Sequence, residues 1–227
     1  MNEYRPDGKG TADGVAGQEQ GVERADGKRR SPLRDRQHAA PQVIYWTKLP
    51  DSEWGLHLAA TDKGLLYVGS RGRSLDELET WVSRRIPGAV LQRQDERLRL
   101  YAEQMGRYLR GEAERFELPL DVTGTAFQQQ VWRALTEIPY GESRTYSAIA
   151  ERIGRPAAVR SVGTAIGANP LQIVIPCHRV LGKSGALTGF RGGLEMKALL
   201  LALEGRGRDG ASGYAGGAAA PAVSSGP

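Results

Sequence analysis

The sequence predicts an α+β fold: a short sheet with two helices, then a mostly helical region built around a helix-turn-helix. Three observations carry that expectation. Residues 42–70 contain three short runs, "QVIYWTKL", "WGLHLAAT" and "GLLYVGS", rich in β-branched and aromatic residues and separated by Pro-Asp and Asp-Lys-Gly turns. From Leu75 the apolar residues recur at three and four positions, which is helical spacing. Beyond Gly124 the helical pattern continues, broken only at "PYGE" and "GRP".

The three runs read as an antiparallel meander. "SLDELETWVSRRI" follows, with Ser74 as N-cap and Leu75, Leu78, Trp81, Val82 and Ile86 on one face, and "DERLRLYAEQMGRYLRG" repeats the design. Residues 41–120 thus form one expected domain, with a boundary where Pro119 and Gly124 flank an extended piece. In the second, 121–205, "TAFQQQVWRALTEI" stops at Pro139, "TYSAIAERI" starts from a Thr145 cap and ends at Gly154, and "PAAVRSVGTAIG" begins on Pro156 and ends before Asn169-Pro170. The ends, 1–40 and 206–227, are Gly-rich and poor in apolar residues, so both are expected to be disordered tails.

A chain of 227 residues with one cysteine cannot form an internal disulfide. Its first 40 residues hold no apolar run of signal-peptide length, and nothing approaches the roughly 20 apolar residues of a membrane span, so a cytoplasmic setting is expected. The net charge of +5 is unevenly spread: residues 142–204 carry 8 Lys and Arg against 4 Asp and Glu, while 41–141 are almost balanced. The basic part contains the cysteine.

In the helix after "GRP", Val159, Val162 and Ile166 form the inward stripe, leaving Ala157, Arg160, Ser161, Thr164 and Ala168 outside. A solvated face normally carries Lys, Glu and Gln. A face of small residues around one Arg fits close approach to a nucleic-acid groove, with Arg160 inserted where a base is displaced. An ordinary surface Arg is the alternative at this stage.

Cys177 sits in "IVIPCHRVLG", behind Pro176 and beside His178. A thiol with a pKa of about 8.5 is only a few per cent thiolate at neutral pH, and the thiolate is the nucleophile, so a neighbouring base matters. The bland reading is a small buried hydrophobe. Adjacent residues of a strand point apart, so either a turn or a bridging water must join Cys177 to His178. Glu204 lies on the leucine-bearing side of the last helix, near its expected C-terminus, where a negative charge is disfavoured and calls for a partner. A frayed surface glutamate is its alternative.

Taken together, "FQQQVWRALTEIPYGESRTYSAIA" (127–150), "VRSVGTAIGANP" (159–170), "IPCHRV" (175–180) and "LTGFRGGLEMK" (187–197) resemble the O6-alkylguanine-DNA alkyltransferases, the methylated-DNA-protein-cysteine methyltransferase family. The resemblance implies a ribonuclease H-like α/β first domain and a winged-helix-like second one. It also implies single-turnover repair, in which O6-alkylguanine is flipped out of double-stranded DNA and its alkyl group passes irreversibly to Cys177. His178 then deprotonates the thiol through a water, Glu204 orients the imidazole, Tyr146 donates to the guanine ring and Asn169 shapes the turn before the thiol. Arg160 becomes the finger, with Ala158, Ser161 and Thr164 on the DNA-facing surface, while Val180, Phe190 and Arg191 border the base. The implied partner is damaged duplex DNA and no membrane, the implied state a monomer, and no cofactor or metal is needed. Phe190 stands where some relatives carry Tyr, Gly167 replaces a basic residue, and with no Cys before 177 a cysteine zinc site in the first domain is ruled out.

Three other readings remain at this point. A lesion-binding module would lack the cysteine. A cysteine hydrolase would usually place its His far along the chain, and a transcription factor would need neither "PCHR" nor Glu204.

Overall fold

A computed structural model describes residues 41–50 and 53–209. The three apolar runs form strands β1 (Val43–Lys48), β2 (His57–Thr61) and β3 (Gly64–Val68), paired antiparallel in chain order as their turns require. A bulge at Ala59/Ala60 interrupts the β2–β3 ladder. A fourth strand, β4 (Val90–Arg93), lies parallel to β1, giving the order β3-β2-β1-β4. The sequence reading missed β4, because it is a four-residue edge strand with only Leu91 half-buried and shows no alternation.

Helix α1 (Asp76–Arg85) makes the crossover from β3 to β4 and lays Leu78 and Val82 against Ile44, Ala59, Leu66 and Tyr67 on one face of the sheet. Its expected Ser74 cap is not used: the Ser74 hydroxyl donates to Asp76 at 3.0 Å, and the helix opens on a carboxylate-rich first turn instead. Helix α2 (Arg99–Leu109) covers the other face through Met105, Tyr108 and Leu109. The outer edge of β3 is not left open. Leu65 N donates to Pro119 O at 2.8 Å, Asp121 N to Leu65 O at 2.9 Å and Val68 N to Pro170 O at 2.9 Å, so later chain segments satisfy the edge.

The remaining elements are helical apart from a two-residue ladder. Helix α3 (Ala126–Thr136) opens with a reciprocal capping box between Thr125 and Gln128, and α4 (Tyr146–Arg152) with the expected Thr145 cap, whose Oγ1 accepts from Ala148 N at 3.1 Å. A 3₁₀ turn at Pro156–Ala158 leads into α5 (Val159–Gly167), completing the helix-turn-helix. The Trp132 indole donates to Ala165 O at 2.8 Å and ties α3 to α5. Strands β5 (Arg144–Thr145) and β6 (Val180–Leu181) pair in parallel, and α6 (Leu194–Asp209) closes the described chain. One apolar cluster continues from the sheet, at Leu58 and Leu65, through α2 and α3 to Leu200 of α6.

Two further expectations need correcting. Val159 is exposed, and the inward stripe of α5 is Val162, Ala165 and Ile166; with Ala165 in the stripe its centre moves away from Val159, which is left at the stripe's edge in the first turn of the helix. Residues 206–209, placed in a tail, belong to α6. The tails expected over 1–40 and from 210 onward lie outside the described residues. No helix among the described residues is long and apolar enough to cross a membrane.

Gly64 starts β3 at φ +151°, and a Cβ there would stand 2.4 Å from Pro119 O, the atom that accepts from Leu65 N. Gly64→Ala is therefore expected to cost about 2 kcal/mol or more, read as a lower urea midpoint. An unchanged midpoint would refute the close packing at this edge.

Candidate active site

The segment between α5 and β6 is folded back on itself by Asn169. Its Oδ1 accepts from Leu171 N at 2.9 Å, while its Nδ2 donates to Ile175 O at 2.9 Å and to Cys177 Sγ at 3.2 Å. Ile173 holds φ +76°, a conformation that costs a β-branched residue on the order of 1–3 kcal/mol and persists because the side chain is buried. Gln172 fastens the same segment to the sheet, its Nε2 donating to Gly69 O at 2.7 Å. Cys177, His178 and Arg179 then form a 3₁₀ turn. Successive side chains on such a turn are about 120° apart rather than opposed, which answers the question left open by an extended reading.

Behind the turn lies Glu204, fully buried on α6. It accepts from Arg179 Nε at 2.9 Å and from Gly141 N at 2.9 Å, from the Tyr108 hydroxyl, and it faces His178 Nε2 at 2.5 Å. A carboxylate has no proton to give, so Nε2 is the donor in that last contact. The other ring nitrogen, His178 Nδ1, is buried without a hydrogen-bond partner among the described residues. Glu204 was expected near a helix C-terminus, but α6 continues to Asp209, so the helix dipole is not what requires partners. Burial requires them.

Burial alone would raise the Glu204 carboxyl pKa. Hydrogen bonds from His178, Arg179 and Tyr108 outweigh it and bring the carboxyl down to about 2. Burial lowers the pKa of His178, against the pull of Glu204, which favours a neutral imidazole. Burial raises that of Cys177, opposed by the Asn169 hydrogen bond and the charges of Arg191 and Lys197. At rest the site is thus a thiol, a neutral imidazole with one free lone pair, and a fixed anion behind it.

The other expected residues lie on α4, on α5 and the turn before it, on β6 and on the loop before α6. Tyr146, first in α4, donates to Thr188 O at 3.1 Å, and Phe190 meets the His178 ring edge-on with centroids 6.4 Å apart. Val180 is buried at the start of β6. The Arg191 side chain turns away to the sheet, donating to Val68 O at 2.6 Å and Tyr67 Oη at 2.9 Å. Arg160, Ser161 and Thr164 are exposed on α5 and Ala158 is half-buried just before it. The Arg160 guanidinium has no hydrogen bond or ion pair among the described residues.

Sequence reasoning missed Arg179, Tyr108 and Lys197. Arg179 lies inside the quoted "PCHRV", but a basic residue gives no hint of burial, and Tyr108 is 96 positions from its partner. A cleft of about 970 Å³ between β1, β4 and α2 lies elsewhere, and Cys177 does not line it.

Comparison with known proteins converges on one family. Residues 126–206 match the family described as 6-O-methylguanine DNA methyltransferase, DNA binding domain. The inducible methylated-DNA-protein-cysteine methyltransferase of Bacillus subtilis is 51% identical over 164 residues, 72% of this chain and 92% of that protein. The Haemophilus influenzae methylated-DNA-protein-cysteine methyltransferase is 48% identical over 62% of this chain and 80% of its own length. Among solved structures, Mycobacterium tuberculosis OGT in complex with DNA superposes with a TM-score of 0.60 at 38% identity, covering 72% of this chain and 93% of that one.

The low Glu204 pKa has a sign that can be checked. A carboxyl held below its ordinary 4.5 adds stability that is complete above that pH and is lost as pH falls towards 2. Glu204→Gln should lower stability at neutral pH by about 3 kcal/mol, since it strands Arg179, and should flatten the fall of Tm between those two pH values. A variant with wild-type acid sensitivity would contradict the assignment.

Proposed function

The chain belongs to the methylated-DNA-protein-cysteine methyltransferase family, and from that premise we propose how its residues divide the work of direct-reversal DNA repair. The protein is an alkyltransferase that removes an alkyl group from guanine O6 in DNA and retains it, one group per chain. The observation that carries the division of roles is the chain's single thiol, hydrogen-bonded by Asn169 and followed by a buried His-Glu pair whose far nitrogen is free.

In the proposed sequence, His178 Nδ1 takes the thiol proton through a water, while Nε2–H donates to Glu204. The resulting Sγ anion attacks the saturated carbon on O6. A C–S bond forms as the C–O bond breaks, and the electron pair of that bond leaves with the guanine, whose ring accepts a proton from the Tyr146 hydroxyl. Tyr146 must first release the Thr188 carbonyl. The thioether product has no acyl or disulfide bond for water or thiol to cleave, so the site is used once. No cofactor enters, because the base itself is the leaving group.

The neighbour solved with DNA supports duplex DNA as the partner. Here α5 would face the DNA, with Ala158, Ser161 and Thr164 permitting close approach and the unpaired Arg160 filling the gap left by the flipped base. Val180, Phe190 and the Arg191 backbone would border that base. For the architecture, the reading is a ribonuclease H-like domain over 41–120 and a winged-helix-like domain over 121–205. Three antiparallel strands with a parallel fourth support the first, and a family match beginning at 126 supports the second. A monomer acting in the cytoplasm completes the proposal.

Incubation with duplex containing O6-methylguanine should add one methyl per chain, located on Cys177 by peptide mass spectrometry. Cys177→Ala should bind the duplex and take up none. Turnover beyond one equivalent, or a methyl elsewhere, would refute the reading. Arg160→Ala should slow transfer from duplex on the order of tenfold while leaving transfer from the free base within about twofold, differences of about 1.4 and 0.4 kcal/mol in barrier. Equal losses on both substrates would remove the finger role.

A further inference from the structure

The segment 182–193, between β6 and α6, contains no helix or strand, and residues 183–186, 188 and 189 on it are exposed. It nonetheless closes the site. With this loop in place, Phe190 lies edge-on to the His178 ring, Cys177 is 3% exposed and His178 is fully buried. A purine cannot reach a sulfur so enclosed until the loop moves, so whatever holds the loop governs access to the thiol.

Arg191 provides the hold on the side of the sheet. Its Nη2 donates to Val68 O at 2.6 Å and Pro170 O at 3.3 Å, and its Nη1 to Tyr67 Oη at 2.9 Å, with Glu77 Oε1 at 3.4 Å beyond. The guanidinium carbon stands 4.8 Å from the centre of the Tyr67 ring. These partners are firmly placed. Val68 ends β3, Tyr67 is fully buried, and Glu77 on α1 is fixed by Ser70, whose N donates to it at 2.8 Å and Oγ at 2.6 Å. Hydrogen bonds from a charged guanidinium are roughly twice as strong as neutral ones. Val68 O is also the junction with the nucleophile's own segment, since Gln172 Nε2 donates to it at 3.3 Å and to Gly69 O at 2.7 Å. A Cβ on Gly192 would stand 3.0 Å from Gln172 Oε1, so loop and segment are pressed together there. One end of β3 thus registers the loop against the chain leading to Cys177.

We propose that Arg191 is a positioning residue of the alkyl transfer, a latch that fastens the loop over the base site to the end of β3 and to α1. Latched, the loop shields the resting thiol; once a base has entered, the same contacts hold Phe190 and the loop backbone against it. This rests on Cys177 being the alkyl acceptor. The Arg191 side chain points to the sheet and acts through the loop it anchors.

The charge of Arg191 has a second effect, which must be separated from the first. Together with the Asn169 hydrogen bond, it opposes the burial that raises the Cys177 pKa. Loss of the charge would therefore slow a reagent that needs the thiolate, whereas loss of the latch would speed it. Lysine at 191 distinguishes them, because it keeps the charge and loses the fork. Tyr67→Phe does so from the other side, removing one accepting hydroxyl while the ring and every charge remain.

The test is the reaction of Cys177 with iodoacetamide at neutral pH, on the full chain, with circular dichroism to confirm folding. Arg191→Lys should speed modification about tenfold and Tyr67→Phe about threefold, as the open loop becomes more populated. In an Arg191→Met background Tyr67→Phe should change nothing, because the hydroxyl acts through the guanidinium. With duplex carrying O6-methylguanine, Arg191→Lys should lower the maximal transfer rate about tenfold and leave the half-saturating duplex concentration within about twofold. A residue that only supports the fold would not raise thiol access while lowering transfer. A folded Arg191→Lys variant modified at the wild-type rate would overturn the proposal, as would a Tyr67→Phe effect of equal size in both backgrounds. If Arg191→Met does not fold, Arg191→Lys and Tyr67→Phe decide alone. Wild-type protein that reacts with iodoacetamide yet takes up no methyl would instead sink the repair assignment, so the two failures are distinguishable.

Discussion

The buried carboxylate of Glu204 is the constraint on which the rest of the site depends. It gathers hydrogen bonds from α2 through Tyr108, from the loop before β5 through Gly141, and from the turn after Pro176 through His178 and Arg179. Isolated in an apolar core, a carboxyl would take up a proton. Arg179, always charged, prevents that, and the fixed anion then decides which nitrogen of His178 carries hydrogen. Removing the anion would change the tautomer, the turn and the fit of α6 together.

The thiol is held under the opposite condition. Burial keeps it protonated at rest, while Asn169 and the nearby cations reduce what ionisation costs when a base takes the proton. Such a site needs no standing thiolate. It needs a neutral acceptor beside the sulfur and positive charge close by: the turn after Pro176 presents His178, and the charges of Arg191 and Lys197 oppose the cost of burial. The strained Ile173 and the clamp at Gln172 show how tightly the backbone leading to the sulfur is fixed. A nucleophile used once gains from such fixation, because its geometry must be ready before the base arrives.

Much of this was legible in the sequence because short-range chemistry determined it. The turn between β2 and β3, the Thr145 cap and the small outer face of α5 are local features, and the structure agrees with them, whereas Asp51 of the expected Pro-Asp turn lies outside the described residues. The failures share a cause. Glu204 was expected near a helix end because the Gly-rich tail was read as beginning at 206, yet α6 continues to Asp209. Lys197, in "LEMKALLLALE", looks like a solvated residue, and nothing local reveals that carbonyls from Val180 and Thr188 converge on it. Strand β4 is set by pairing with β1, forty-seven positions earlier, rather than by any pattern of its own. Long-range contacts supplied what local spacing could not.

The most direct measurement is the tautomer and charge of His178 by nitrogen-15 NMR of the ring at neutral pH. The account predicts a neutral imidazole with hydrogen on Nε2, facing Glu204, and a bare lone pair on Nδ1. An imidazolium, or hydrogen on Nδ1, would leave Cys177 without its base and contradict the mechanism at its source.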